Sequence, residues 1–98
     1  IKKAVLRIKK AKRITIFGDY DVDGVTSSVI LRKALQQVMP STTVDVYIPD
    51  RQTEGYGMNQ KAIKEILKRG SDLIVTVDCG ISNFAEVKFA NKIGLDVI

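Results

Sequence analysis

The chain has 98 residues, 45% hydrophobic and 28% charged, which makes one domain at most, with a real but modest core. No apolar run approaches the roughly 20 residues that span a bilayer, no apolar stretch follows the basic start as in a secretory signal, and one cysteine excludes an internal disulfide. The net charge of +5 is concentrated: Ile1–Arg13 holds seven basic residues and no acid, and the rest of the chain holds nine basic and eleven acidic residues. Such a segment attracts phosphate backbones by counterion release, without sequence preference, and is equally the solvated face of a helix. No histidine is present, which limits the metal and acid–base chemistry that this stretch completes alone. The single cysteine fits a reducing cytoplasm, the expected location.

Ala4, Val5, Ile8 and Ala11 fall at helical spacing and predict a first helix with a basic outer face. Ile14–Phe17, closed by Gly18, reads as a buried strand. A helix is predicted over Val25–Val38, with Val29, Ile30, Ala34, Leu35 and Val38 on one face and Pro40 just beyond its end. Thr43–Ile48 is a second strand, followed by a polar loop over Pro49–Met58. Asn59 fits the N-cap of a helix running to Arg69, with Gly70 after it. Leu73–Val77 is a third strand. Asn83 and Glu86 have the spacing of a capping box for a helix to Ile93, ended by Gly94, and Leu95–Ile98 begins a fourth strand.

Strands alternating with helices imply parallel pairing through right-handed crossovers. The expected fold is therefore α/β: three layers, a parallel sheet with helices on both faces, strand order 2-1-3-4. A chain that stops inside a strand is expected to be part of a longer domain. In such sheets, ligands bind beyond the carboxyl ends of the strands, where strand order reverses. Two acidic turns leave strands at that edge: Gly18-Asp-Tyr-Asp-Val-Asp-Gly24 after the first and Val77-Asp-Cys-Gly80 after the third. Order 2-1-3-4 brings Asp19, Asp21, Asp23 and Asp78 together. Three aspartates at alternate positions of an extended backbone project to one side. Their mutual repulsion calls for a hard divalent cation, and all-oxygen donors suit Mg2+ or Mn2+ rather than structural zinc. Asp23 also fits the N-cap of the following helix, as Thr26 and Ser27 fit its start, and Asp78 fits a strand-end turn.

Two other chemistries share part of the pattern. An EF-hand loop opening at Asp19 requires a bidentate Glu at its twelfth position, where this chain has Ile30, and a helix before it, where this chain has a strand. A haloacid-dehalogenase-like phosphatase would use Asp21 as nucleophile and Asp23 as acid–base. That family inserts a loop or flap after the motif, whereas Val25-Thr-Ser-Ser28 runs straight into a helix, and Asp19 would have no role.

Ile14-Thr-Ile-Phe-Gly-Asp-Tyr-Asp-Val-Asp-Gly-Val-Thr-Ser27 resembles the first motif of the DHH phosphoesterases, in the form found in the RecJ-type single-strand exonucleases. Tyr47-Ile-Pro-Asp-Arg-Gln-Thr-Glu-Gly-Tyr-Gly-Met-Asn59 is similar to the Gly-Tyr-Gly loop of that family, and Thr76-Val-Asp-Cys-Gly-Ile-Ser82 to its second acidic motif. The three segments follow the family's order across nearly the whole chain. The resemblance implies that Asp21, Asp23 and Asp78 are metal ligands in a two-ion Mn2+ or Mg2+ centre and act in catalysis. Asp19 stands nearest the place where many relatives carry a histidine. It also implies a five-stranded sheet, with residues 1–98 the N-terminal part of a DHH domain and a smaller substrate-binding domain downstream. The family's Asp-His-His motif is expected directly after Ile98. Activity is thus expected of a longer protein and not of this stretch alone.

That activity, on the same resemblance, is hydrolysis of single-stranded DNA from its 5′ end in DNA repair and recombination. Arg51 is a candidate phosphate contact, Tyr56 a candidate stacking platform, and Cys79 a small residue beside the metal site. A DHH phosphodiesterase acting on short oligonucleotides or cyclic dinucleotides, and a non-catalytic DHH-like replication scaffold, are the alternatives. Such a scaffold has no need of four carboxylates.

Overall fold

Short runs rich in β-branched and aromatic residues, separated by stretches with helical spacing, set the alternation of elements. The computed structural model describes residues 2–50, 52, 58–78 and 83–98. In chain order these form α1 (Lys2–Lys10), β1 (Arg13–Phe17), α2 (Val22–Val38), β2 (Thr43–Tyr47), α3 (Gln60–Lys68), β3 (Leu73–Thr76), α4 (Phe84–Lys92) and β4 (Asp96–Val97). The strands pair in the order β2-β1-β3-β4, all parallel, as expected. Register is fixed by pairs such as Ile16 with Val46 and Val75.

Alternation along β1 divides its side chains between two cores. Ile14 and Ile16 join Val44, Leu73 and Val75 on one face, beneath Ile8 of α1 and Leu31 and Leu35 of α2. Phe17 and Ile74 join Ala62, Ile63, Ile66 and Ala90 of α3 and α4 on the other. Each fully buried Ile or Phe contributes about 1.5–3 kcal/mol. Phe17 also stacks on Tyr47, and the Arg69 guanidinium lies over that ring, 5.3 Å from its centroid.

Asn59 caps α3 as expected, its Oδ1 accepting from Ala62 N at 2.8 Å. Both α3 and α4 end at a glycine with positive φ, Gly70 at +93° and Gly94 at +97°. There Ser71 N and Leu95 N reach back to the carbonyls of Ile66 and Ala90. At the amino edge of the sheet, Asp72 accepts from Lys12 N and Arg13 N, both at 3.2 Å, and Arg7 reaches Asp72 O and the Asp96 carboxylate. Asp45 takes Arg13 and the Thr15 hydroxyl, and Thr15 pairs with the buried Ser71.

Three expectations are corrected. Helix α2 begins at Val22, not Val25, so Thr26 and Ser27 lie inside it and Asp21, not Asp23, is its N-cap. Its packing face matches the expected row at Leu35 but not at Val29, Ile30 and Val38, which are 45%, 63% and 77% exposed, whereas Gly24 and Ser28 are buried. Small residues let this helix approach β1 closely, and that geometry outranks the hydrophobicity of its other flank. The capping box at α4 does not form either. Asn83 makes no side-chain cap bond to its own helix and accepts instead from Met58 N.

Candidate metal centre

The carboxyl ends of β1 and β3 lie side by side, because Val77 N donates to Phe17 O at 3.0 Å, and Gly18 N ties the end of β1 to that of β2 by donating to Tyr47 O at 3.1 Å. The chain leaving β1 therefore starts its turn next to the chain leaving β3. Asp19, in that turn, is 5% exposed, and its Oδ1 accepts from Tyr20 N at 2.7 Å. Asp21 follows with φ −80° and ψ 174°, and its Oδ1 accepts from Gly24 N at 2.8 Å. This bond satisfies one of the free amides that open α2. Across the gap, Asp78 has φ +57°, a conformation that Asp, Asn and Gly adopt more readily than other residues.

Gly24 sets how close these pieces come. A Cβ at this position would lie 2.7 Å from both the backbone nitrogen and the Cβ of Asp19, so any side chain would collide with the turn. The Ser28 hydroxyl donates to Gly24 O one helical turn away at 2.7 Å, and a Cβ on Gly18 would collide with that same hydroxyl. Gly18, Gly24 and Ser28 thus form the contact that seats the start of α2 against the end of β1. Sequence reasoning assigned Gly24 only a turn and missed Ser28. The available signal was small residues at positions 24 and 28, one helical turn apart.

The result is a cluster in which one carboxylate oxygen from each of Asp19, Asp21 and Asp78 lies within 4.8 Å of the others. Three of the four expected acids are brought together. Asp23, in the first turn of α2, lies outside this set but is close enough to act on Asp78 through space. The Asp78 carboxyl is held above its ordinary range. Desolvation comes first among the causes, then the negative charges of Asp21, Asp23 and Asp19, then a hydrogen bond with Asp21 that requires a proton between the two carboxyls. The side chain is open to water. Three like charges thus crowd a carboxyl that is itself exposed.

This donor set fits a hard divalent cation. The ligand atoms are all oxygen, they come from two separate turns, and they all lie within 4.8 Å of one another, a separation comparable with the roughly 3–4 Å between oxygens around an ion at about 2.1 Å. An ion there would remove the repulsion that raises Asp78. Arg51, Tyr56 and Cys79, also singled out from the sequence, lie outside the described residues.

The profile of the DHH family, N-terminal domain, matches residues 13–98. The chain is 50% identical over its whole length to the single-stranded-DNA-specific exonuclease RecJ of Bacillus subtilis, and 42% identical over 93% of its length to that of Thermus thermophilus. It spans 13% of each of those relatives. Among solved structures, exonuclease RecJ bound to manganese superposes with a TM-score of 0.84 at 39% identity, over 98% of this chain and 25% of that one. RecJ from T. thermophilus in complex with Mn2+ superposes with a TM-score of 0.75 at 33% identity, over 98% of this chain and 13% of that one. The fold is thus shared with proteins solved with manganese, and the chain belongs to the DHH family through its N-terminal domain.

Proposed function

We propose that this chain supplies the first part of the metal centre of a single-strand-specific DNA exonuclease, in a protein longer than the residues described. The observation that carries the reading is the convergence of Asp19, Asp21 and Asp78 from two loops at one sheet edge. Its relatives are named single-stranded-DNA-specific exonucleases, which supports the substrate class. The reading assigns Mn2+ or Mg2+ in a two-ion site, with Asp21 and Asp78 in direct contact and Asp23 completing the negative field. It also assigns the protein to DNA repair and recombination in the cytoplasm. Among the described residues, no helix is long and apolar enough to cross a membrane.

When bound, divalent ions would lower the pKa of a coordinated water and neutralise charge on the attacked phosphodiester. The chain's own residues do the positioning. Asp21 is fixed by its bond to Gly24 N, so one carboxylate is oriented by the same contact that starts α2. Asp19 is held by Tyr20 N and screened from water. Asp78 is placed by a positive φ at the end of β3. Without cations this edge repels a polyanionic strand, and each divalent ion bound there would offset two of its negative charges. Arg51 and Tyr56 are the proposed phosphate and base contacts, by family resemblance.

The test uses the intact protein and 5′-labelled single-stranded DNA. Manganese-dependent release of mononucleotides from the 5′ end is expected, with Asp21→Ala and Asp78→Asn each lowering the rate at least a hundredfold while folding is kept. Wild-type activity in either folded variant would sink the reading. Hydrolysis confined to oligonucleotides of a few residues or to cyclic dinucleotides would favour the small-substrate alternative.

A further inference from the structure

The excess positive charge sits on one side of one helix. At 3.6 residues per turn, Lys2, Lys3, Lys9 and Lys10 fall within about a third of the circumference of α1, with Leu6 in their midst. All four lysines and Lys12 are exposed. Among the described residues none of the five is in an ion pair, whereas both arginines of the same segment are: Arg7 is bound to Asp96 and Arg13 to Asp45. Arginine, the residue suited to directional recognition, is thus spent inside the fold, and only point charges on flexible stems face solvent.

The helix that carries this face is anchored at the edge of the sheet opposite the carboxylates. Arg7 anchors α1 to Asp72 and Asp96, and Lys12 N is bound to Asp72, all at the amino edge of the sheet. Asp19, Asp21 and Asp78 leave the carboxyl edge. The five residues of β1 alone separate the two edges by about 17 Å. The domain is therefore electrically polarised, acidic where metal would bind and basic at the opposite end.

We infer that the lysine face of α1 is a second nucleic-acid contact. It holds the sugar–phosphate backbone of a single strand at a point remote from the phosphodiester being hydrolysed, without sequence preference. The inference rests on the proposed nuclease reading, which supplies the polyanion. It adds that long strands gain affinity at this surface and that very short ones, which do not span the sheet, do not.

The test is the quadruple substitution Lys2→Gln, Lys3→Gln, Lys9→Gln and Lys10→Gln in the intact protein. A control removes four exposed lysines from α3 and α4 (Lys61, Lys64, Lys68 and Lys88), with circular dichroism checking both. Affinity for a long single strand is measured across a salt series. The log–log slope should become shallower by roughly 2–3, since each phosphate contact contributes about 0.7 for a single strand. Affinity at low salt should fall at least tenfold. The control should keep the wild-type slope, and manganese-dependent hydrolysis of a tetranucleotide should be unchanged in the α1 variant. An unchanged slope in that variant overturns the inference, and so does an equal change in the control, which would report net charge alone. Loss of tetranucleotide hydrolysis in a folded α1 variant also overturns it, because the lysines would then belong to the reaction site. A wild-type protein that binds long strands but hydrolyses none contradicts the nuclease reading instead, and the slopes still decide the lysine face.

Discussion

Asp78 combines an unusual backbone with an unfavourable charge, and the two separate by substitution. At φ +57° Asn is tolerated about as well as Asp, whereas Ala is strained. The folded-state pKa of Asp78 is raised by desolvation and by Asp21, Asp23 and Asp19. A carboxyl of this kind binds its proton more tightly when folded than when unfolded. Its contribution to stability therefore falls as pH rises from the ordinary carboxylate range through the raised value, and is flat above it. Asp78→Asn should then raise the melting temperature of the metal-free protein at neutral pH and flatten that part of the pH profile. Asp78→Ala should not raise it. A metal-free Asp78→Asn protein that melts below wild type at pH 7 contradicts the crowding described here. At Gly24 the competing effects are helix propensity, which favours Ala by about 1 kcal/mol, and collision with the Asp19 backbone. Overpacking against main chain commonly costs about 1–3 kcal/mol, so Gly24→Ala should be destabilising on balance and should weaken manganese binding. Urea unfolding and metal titration of the same variant check both halves.

The start of α2 carries two duties on one side chain, because Asp21 is both N-cap and candidate ligand. Asparagine caps as well as aspartate, and alanine does not cap. Metal-free Asp21→Asn should therefore be at least as stable as wild type, while Asp21→Ala should lose about 1 kcal/mol in urea unfolding. Both should lose the manganese response. Equal stability of the two variants would mean that the bond to Gly24 N contributes nothing. This element also shows what the sequence made legible. The order β2-β1-β3-β4 followed from apolar runs and acidic turns, because those depend on period and composition. The three aspartates at alternate positions were expected to share one side, on the assumption of an extended backbone. The helix begins at Val22, so Asp23 sits in its first turn, outside the set formed by Asp19, Asp21 and Asp78. The buried face of α2 was misread in part, because close packing used Gly24 and Ser28, whereas hydrophobic periodicity rewards large apolar residues. At α4, Asn83 had the spacing of a cap but spends its oxygen on Met58 N, a tertiary contact that local sequence does not encode.

At the scale of the molecule, a sheet with a core on each face isolates two charged ends from each other. Separation of about 17 Å along β1 is twice the Debye length of about 8 Å at physiological salt. Metal affinity at the carboxyl edge should therefore be independent of the α1 lysines, and linkage makes this measurable as heat stability. An ion bound only by the folded state adds about 2.7 kcal/mol at one hundred times its dissociation constant. For a domain of this size each kcal/mol moves the melting temperature by about 4–8 °C, so manganese should raise it by roughly 10–20 °C at that loading. The rise should shrink on acidification through the range where Asp78 takes up its proton, because protons and metal compete for the same oxygens. It should be absent in Asp78→Asn and unchanged in the quadruple Lys→Gln variant of α1. A manganese-induced rise that survives Asp78→Asn would place the ion elsewhere on the domain. One that falls with the lysines at physiological salt would mean that the two ends are electrostatically coupled.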